Sequence, residues 1–270
     1  MRRHLRGRSH PGANMSQVDT HHQFSEHYQA GISTAPLDDE LFVEFPYTDH
    51  DGEQKYLTFH IANTKYEKDS ASDLINRMYS WRGYGRSDAL PSGENSTTFT
   101  ITSDDRVVGT LTLTADSGAG LAIEKTFHDD IDGFRRMPGN RLCELTKFAL
   151  DTNAPSKPVL AALFHIIFIY GMHRYDCTDL FIEVNPRHSR FYEVMLNFKP
   201  VGDVKMNDSV KAPSQLLWLR SSDIREYIDV YTNNLRTSKR SLYPYFYPLA
   251  EEADIYTRML RAPANDMAIV

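Results

Sequence analysis

Glu144 and Lys147 interrupt the otherwise strand-like stretch RLCELTKFALD, residues 141–151. In an extended chain Glu144 and Thr146 point to one face, while Cys143, Leu145 and Lys147 point to the other. A carboxylate buried in a strand is costly unless something employs it. It either pairs with a cation on a neighbouring element or serves as a general base whose pKa burial raises. Lys147 is likewise either a rim charge or a group that orients an anion, without the bidentate fork of arginine. A second polar set lies in LFIEVNPRHSRFYEVMLNFKPVG, residues 180–202, which contains Asn185, His188 and Tyr192. His188 reads as a helix cap or an exposed side chain rather than a second base. Cys143 and Cys177 read as small core residues rather than nucleophiles.

These residues must be held by a frame, and its pattern is readable. KYLTFHIAN, from Lys55, alternates as a strand, and KDSASDLINRMYSWRGYG reads as a helix with Leu74, Ile75, Met78 and Trp81 at helical spacing. STTFTITSDDRVVGTLTLT is a two-strand hairpin turning at Ser103-Asp104-Asp105, its threonines alternating with apolar residues. A further strand is expected near Leu121 to Lys125. After the Glu144 strand comes the breaker-rich DTNAPSKP, then an apolar helix opened by Pro158, then a buried strand TDLFIEVN stopped by Pro186. HSRFYEVMLNF follows as a short helix, and SQLLWLR, 214–220, as a last strand. Strands first, then strand–helix–strand–helix–strand, predict a mixed α/β sheet. The helix near 158–173 crosses over between two central parallel strands, 141–150 and 179–185.

Residues 1–38 are polar, His-rich and aperiodic and read as a disordered arm. Residues 39–221 form the α/β domain. Residues 222–270 form a C-terminal helical extension, in which SLYPYFYPL is too apolar to remain in solvent. His21, His22 and His27 lie in the arm without cysteines or a fixed frame, so no metal is assigned to them. The 270 residues carry a net charge of −6, which argues against nucleic acid as a main partner. Two cysteines give no disulfide framework and fit a reducing, cytoplasmic location. The most apolar run, VLAALFHIIFIYGM, is too short to span a bilayer, so no transmembrane segment is expected.

The two blocks around Glu144 and Asn185, joined by PVLAALFHIIFIYGMHR, resemble the GNAT N-acyltransferase superfamily, and within it the long-chain N-acyl amino acid synthases. These are cousins of the acyl-homoserine-lactone autoinducer synthases. The resemblance covers about residues 55–220. It implies a sheet whose central parallel strands splay apart to admit an acyl-phosphopantetheine arm. It also implies transfer of a medium or long acyl chain from acyl carrier protein to an amino-acid acceptor, with no permanently bound cofactor. Acetyl-CoA members carry a glycine-rich loop where this chain has DTNAPSKP. Backbone that approaches a pyrophosphate closely usually needs glycine, so the carrier-protein donor is favoured.

The resemblance favours Glu144 as the base that deprotonates the incoming ammonium, and Tyr192 as the acid that protonates the leaving thiolate. It places Thr146, Lys147, Arg77, Trp81 and Asn185 around the substrates, Arg77 as a grip for the acceptor carboxylate. An acidic carrier protein needs a basic landing surface. Arg174, Arg187, Arg190 and Lys199 are the candidates, with Arg135, Arg136 and Lys157 weaker ones. An autoinducer synthase using S-adenosylmethionine and a non-catalytic acyl- or carrier-protein-binding domain are the alternatives.

Overall fold

The computed structural model describes the backbone of 43–48 and residues 53–81, 89–104, 106–151, 157–232 and 240–259. The chain divides into Met1–Pro36 and Leu37–Val270. The arm expected over 1–38, with His21, His22 and His27, lies outside the described residues.

Among the described residues, eight strands form one sheet in the order β1-β2-β3-β4-β5-β6-β8-β7. The antiparallel run β1 (Val43–Thr48), β2 (Gln54–Ile61), β3 (Ser96–Ser103) and β4 (Arg106–Ala115) leads to β5 (Leu142–Leu150). β5 then pairs in parallel with β6 (Asp179–Val184), as expected. β7 (Lys199–Asn207) and β8 (Ala212–Arg220) complete the sheet as a hairpin, with β8 against β6. β7 is a strand that the sequence pattern did not disclose. It is an edge strand with mostly exposed residues, so burial never imposed an alternating code on it.

Helix α1 (Lys65–Trp81) starts in a capping box. Thr64 Oγ1 accepts the Glu67 N–H at 3.2 Å, and Glu67 Oε2 accepts the Thr64 N–H at 2.9 Å. Helix α2 (Glu124–Arg135) overturns the strand expected near Leu121. Apolar Phe127, Ile131 and Phe134 at helical spacing draw it onto Leu142, Phe181 and Leu216 of the sheet. α1 and α2 lie on the same face of the sheet. Leu142 and Glu144 alternate onto the α2 side, and the pairings Glu144–Thr114, Thr146–Thr112 and Ala149–Thr110 carry that face to Ala149, under Leu74, Ile75 and Met78 of α1. The threonines of this face are therefore buried rather than solvated, and Thr98 and Thr112 satisfy each other at 2.8 Å.

The opposite face is apolar and covered by α3 (Lys157–Tyr175), the crossover helix. α3 is buried along almost its whole circumference because a second layer lies outside it. That layer comprises α5 (Ser221–Thr232), a 3-10 turn at Tyr243–Tyr245 and α6 (Leu249–Met259). Ile224, Ile228, Leu242, Tyr243, Phe246 and Ile255 join the same core as α3. α4 (Pro186–Leu196) follows β6. Among the described residues no helix is long and apolar enough to cross a membrane.

Candidate active site

β5 and β6 pair only from Leu142–Asp179 to Leu145–Ile182. Beyond that point β5 runs on for five residues with only β4 beside it, so the two central strands separate where β5 passes Glu144. The separation coincides with a break in β5. Between Thr110 and Thr112, β4 advances two residues while β5 advances three, from Thr146 to Ala149. Lys147 absorbs the extra residue with φ +56°, a β-bulge in the left-handed region that non-glycine residues seldom adopt. Simple alternation therefore fails at Lys147. The bulge shifts the register, and Phe148, the next residue, packs on the core that Cys143 and Leu145 join.

Glu144 is 1% exposed. Its oxygens accept the N–H groups of Ala122 at 2.9 Å and Ile123 at 3.0 Å. Both donors belong to the turn that opens α2, and Ile123, the N-cap position, has no side-chain cap of its own. The strand carboxylate thus satisfies orphan donors of a helix N-terminus. Burial pushes the Glu144 carboxyl above its ordinary value, with Glu183 and Glu124 adding to the rise and the two N–H bonds opposing it. Each oxygen retains a second lone pair, so the group can still accept a proton while it is held.

Thr146 follows on the same face, with its hydroxyl buried and without a hydrogen-bond partner among the described residues. The Thr110 hydroxyl, across β4, is in the same condition. Replacing Thr146 by valine removes an unsatisfied buried hydroxyl. Melting should show stability unchanged or raised by up to about 1 kcal/mol. A fall in kcat/KM of about tenfold in the same variant would mark a hydroxyl that acts on substrate.

Tyr192 lies on α4, seven residues after Asn185. It packs against the main core, edge-on to Phe191 at 5.1 Å and Phe198 at 6.1 Å. Asn185 caps α4 by accepting the Arg187 N–H at 3.2 Å, and Pro186 occupies the first turn. Arg77 of α1 pairs with Asp151, immediately beyond β5, at 3.3 Å. A substrate carboxylate would have to compete with that partner. The side chain of Trp81 lies outside the described residues.

The four basic residues assigned to docking do not form one cluster. Arg187 and Arg190 stand at the start of α4, at the end of β6 where the strands separate. Arg174 is in the last turn of α3, leading into the opposite end of β6. Lys199 pairs with Trp218, which is opposite Phe181, and bonds Asp223 at 2.9 Å. Of the weaker candidates, Arg135 is engaged with Asp116, Glu124 and Asp132. The anchoring of Glu144 by Ala122 and Ile123 was not legible in advance, because those donors are backbone groups. The signal that could have led to them is the helical spacing of Phe127, Ile131 and Phe134.

Residues 70–220, more than half of the chain, match the family model of N-acyl amino acid synthase FeeM. The solved structure of FeeM, an N-acyl amino acid synthase from uncultured soil microbes, is similar at 25% identity and a TM-score of 0.58, over 63% of this chain and 94% of that one. The acyl-homoserine-lactone synthase LasI is similar at 14% identity and a TM-score of 0.48, over 62% of this chain and 91% of that one. The GNAT domain of S. lividans PAT follows at 13% and 0.43, over 66% and 96%. A search of curated proteins finds no match. The chain is a GNAT-fold acyltransferase and belongs to the FeeM family of N-acyl amino acid synthases.

Proposed function

We infer that the enzyme moves a medium or long acyl chain from acyl carrier protein to the amine of an amino acid by direct attack on the thioester. The observation that carries this reading is the early end of β5–β6 pairing, one residue past Glu144, with the bulge at Lys147 just beyond it. An unpaired strand edge offers backbone N–H groups to an extended ligand. The phosphopantetheine arm, with its amides in series, suits that edge. The β5 segment after Glu144 then donates to the thioester oxygen and stabilises the oxyanion as it forms.

Glu144 takes the proton from the acceptor ammonium, and the freed amine attacks the thioester carbon. The tetrahedral oxyanion collapses and the carbon–sulfur bond breaks as Tyr192 gives its proton to the thiolate. The second proton of the attacking nitrogen restores the tyrosine through solvent, and Glu144 releases the first to solvent. Thr146 and Lys147 border the reacting carbon, Arg77 faces the acceptor from α1, Trp81 on the same helix is a further acceptor contact that the family resemblance suggests, and Asn185 holds the far strand's end. The apolar wall for the acyl tail is α3 with the sheet face beneath it. Arg187 and Arg190, at the separation, receive the acidic carrier protein, while Arg174 and Lys199 lie away from that mouth. DTNAPSKP, without a glycine, supports a donor that has one phosphate rather than the pyrophosphate of CoA. Two free buried cysteines fit a cytoplasmic enzyme that meets this donor.

The test is donor competition, with palmitoyl-carrier protein and palmitoyl-CoA compared at equal concentration with pooled amino acids. Thiol release is the readout. A kcat/KM at least tenfold higher for the carrier protein, reduced by charge reversal at Arg187 and Arg190, is expected. Equal use of both donors would overturn the carrier-protein assignment.

A further inference from the structure

The place of Glu144 depends on the turn of residues 121–123, so what holds that turn holds the carboxylate. Glu124 Oε1 accepts the Leu121 N–H at 2.7 Å. Arg135, from the last turn of α2, reaches back to Glu124 with Nη2 at 2.5 Å and Nη1 at 3.4 Å. The same guanidinium grips both oxygens of Asp116, at 2.7 Å from Nε and 3.0 Å from Nη2. Asp116 in turn donates its backbone N–H to the Leu142 carbonyl at 2.8 Å, two residues before Glu144 on β5. The connections close a ring: β5, Asp116, Arg135, Glu124, the 121–123 turn, and back to β5 through Glu144. Gly120 belongs to the same device, with φ +73° and a position where a Cβ would stand 2.9 Å from Glu124 Oε1.

We propose that Arg135 is a positioning residue for the acyl transfer, fixing the Glu144 carboxylate through Glu124 and Asp116 without touching substrate. The inference rests on the reading of Glu144 as the base. Arg135 is one-third exposed, so a single surface pair here would be weak. Its planar fork serves several carboxylates at once, however, and such bidentate geometry is directional. The charged groups that bear on Glu144 are Glu183 from β6 and Glu124 from α2, with Arg135 and Asp116 joined to Glu124 in one network. Without Arg135, Glu124 loses its counter-charge, and the two N–H donors loosen. Both changes make an ionised Glu144 harder to hold.

The experiment compares kcat against pH for wild type, Arg135→Met, Arg135→Lys, Lys65→Ala and Glu144→Gln, with palmitoyl-carrier protein and pooled amino acids. Arg135→Met should move the acid limb upward by about one pH unit, with about tenfold loss on the acid side and KM for the carrier protein unchanged. Arg135→Lys should move it by a smaller step, and this reports on the idea if the methionine variant does not fold. Lys65, an exposed residue of α1 paired with Asp69, should leave the limb in place on replacement. A pH-independent loss in the Arg135 variants, or an unmoved limb, overturns the inference. If Glu144→Gln itself keeps the wild-type limb, the base assignment fails instead, so the two failures are distinguishable.

Discussion

Glu144→Gln is expected to lower kcat by about 10²- to 10⁴-fold, the range associated with losing a positioned general base. KM for the carrier-protein donor should change little, because the proposed binding mode holds the acyl arm by backbone. Glutamine can accept only one of the two N–H groups from Ala122 and Ile123, and its own amide hydrogens face the other. That mismatch costs about 1–3 kcal/mol. Against it stands a gain. The folded pKa of Glu144 lies above the ordinary 4.5, so ionised Glu144 itself costs stability at neutral pH. That cost disappears as pH falls through the raised value. The variant should therefore remain folded while losing turnover, and a melting curve beside the rate measurement separates the two effects. A variant that turns over within threefold of wild type would remove Glu144 from the mechanism.

The second large effect is on stability, in the layer outside α3. His165 is fully buried and bonds Glu252 through Nε2 at 2.9 Å. The Tyr247 backbone N–H donates to His165 Nδ1 at 3.0 Å, so Nδ1 is bare and the ring is the neutral Nε2–H tautomer. Arg225 holds both oxygens of Glu252, at 2.7 and 2.8 Å. Phe246 stacks on His165 with ring centroids 4.6 Å apart. One carboxylate thus ties α3, α5 and α6 together. Glu252→Ala leaves a buried imidazole and a largely buried guanidinium without their partner. The expected loss is about 3–5 kcal/mol, a fall in Tm on the order of 10 °C. Glu252→Gln keeps an acceptor for His165 and should cost about half as much.

The same cluster sets an acid dependence. Burial holds the His165 pKa below 6.5, against the opposing pull of Glu252. Burial pushes the Glu252 carboxyl up, but His165 and Arg225 outweigh it and hold it below 4.5. Both folded values are depressed, so the unfolded chain binds more protons and stability falls with pH. The decline begins as pH drops through about 6.5, where the unfolded histidine charges, and deepens below 4.5. His165→Gln should remove the first part of the decline in urea titrations at stepped pH. An unchanged slope there would exclude His165 as its origin.

The parallel pair β5–β6 and its crossover helix were legible because a continuous apolar helix between two buried strands has few alternatives. The aromatic link at 243–247 was legible for a similar reason, since Tyr243 and Phe246 had to be buried somewhere. α2 was misread because LAIEK looks extended in a short window, and only Phe127, Ile131 and Phe134 together show the period. The bulge at Lys147 was invisible, since nothing in Thr-Lys-Phe demands a positive φ. The sequence singled out Glu144 by its cost in a buried strand. It could not show that backbone groups of a helix start, steadied by Arg135 from that helix's other end, meet this carboxylate. Such partners depend on tertiary placement rather than on residue type.

The central claim is that this acyltransferase forms an N-acyl amino acid from an acyl-carrier-protein donor. Mass spectrometry of reactions containing palmitoyl-carrier protein, pooled amino acids and either wild-type enzyme or Glu144→Gln tests it directly. The expected result is a product heavier than one amino acid by the fatty acid less water, formed by wild type and reduced at least a hundredfold in the variant. Acyl transfer to no amine, or equal product from both enzymes, would contradict it.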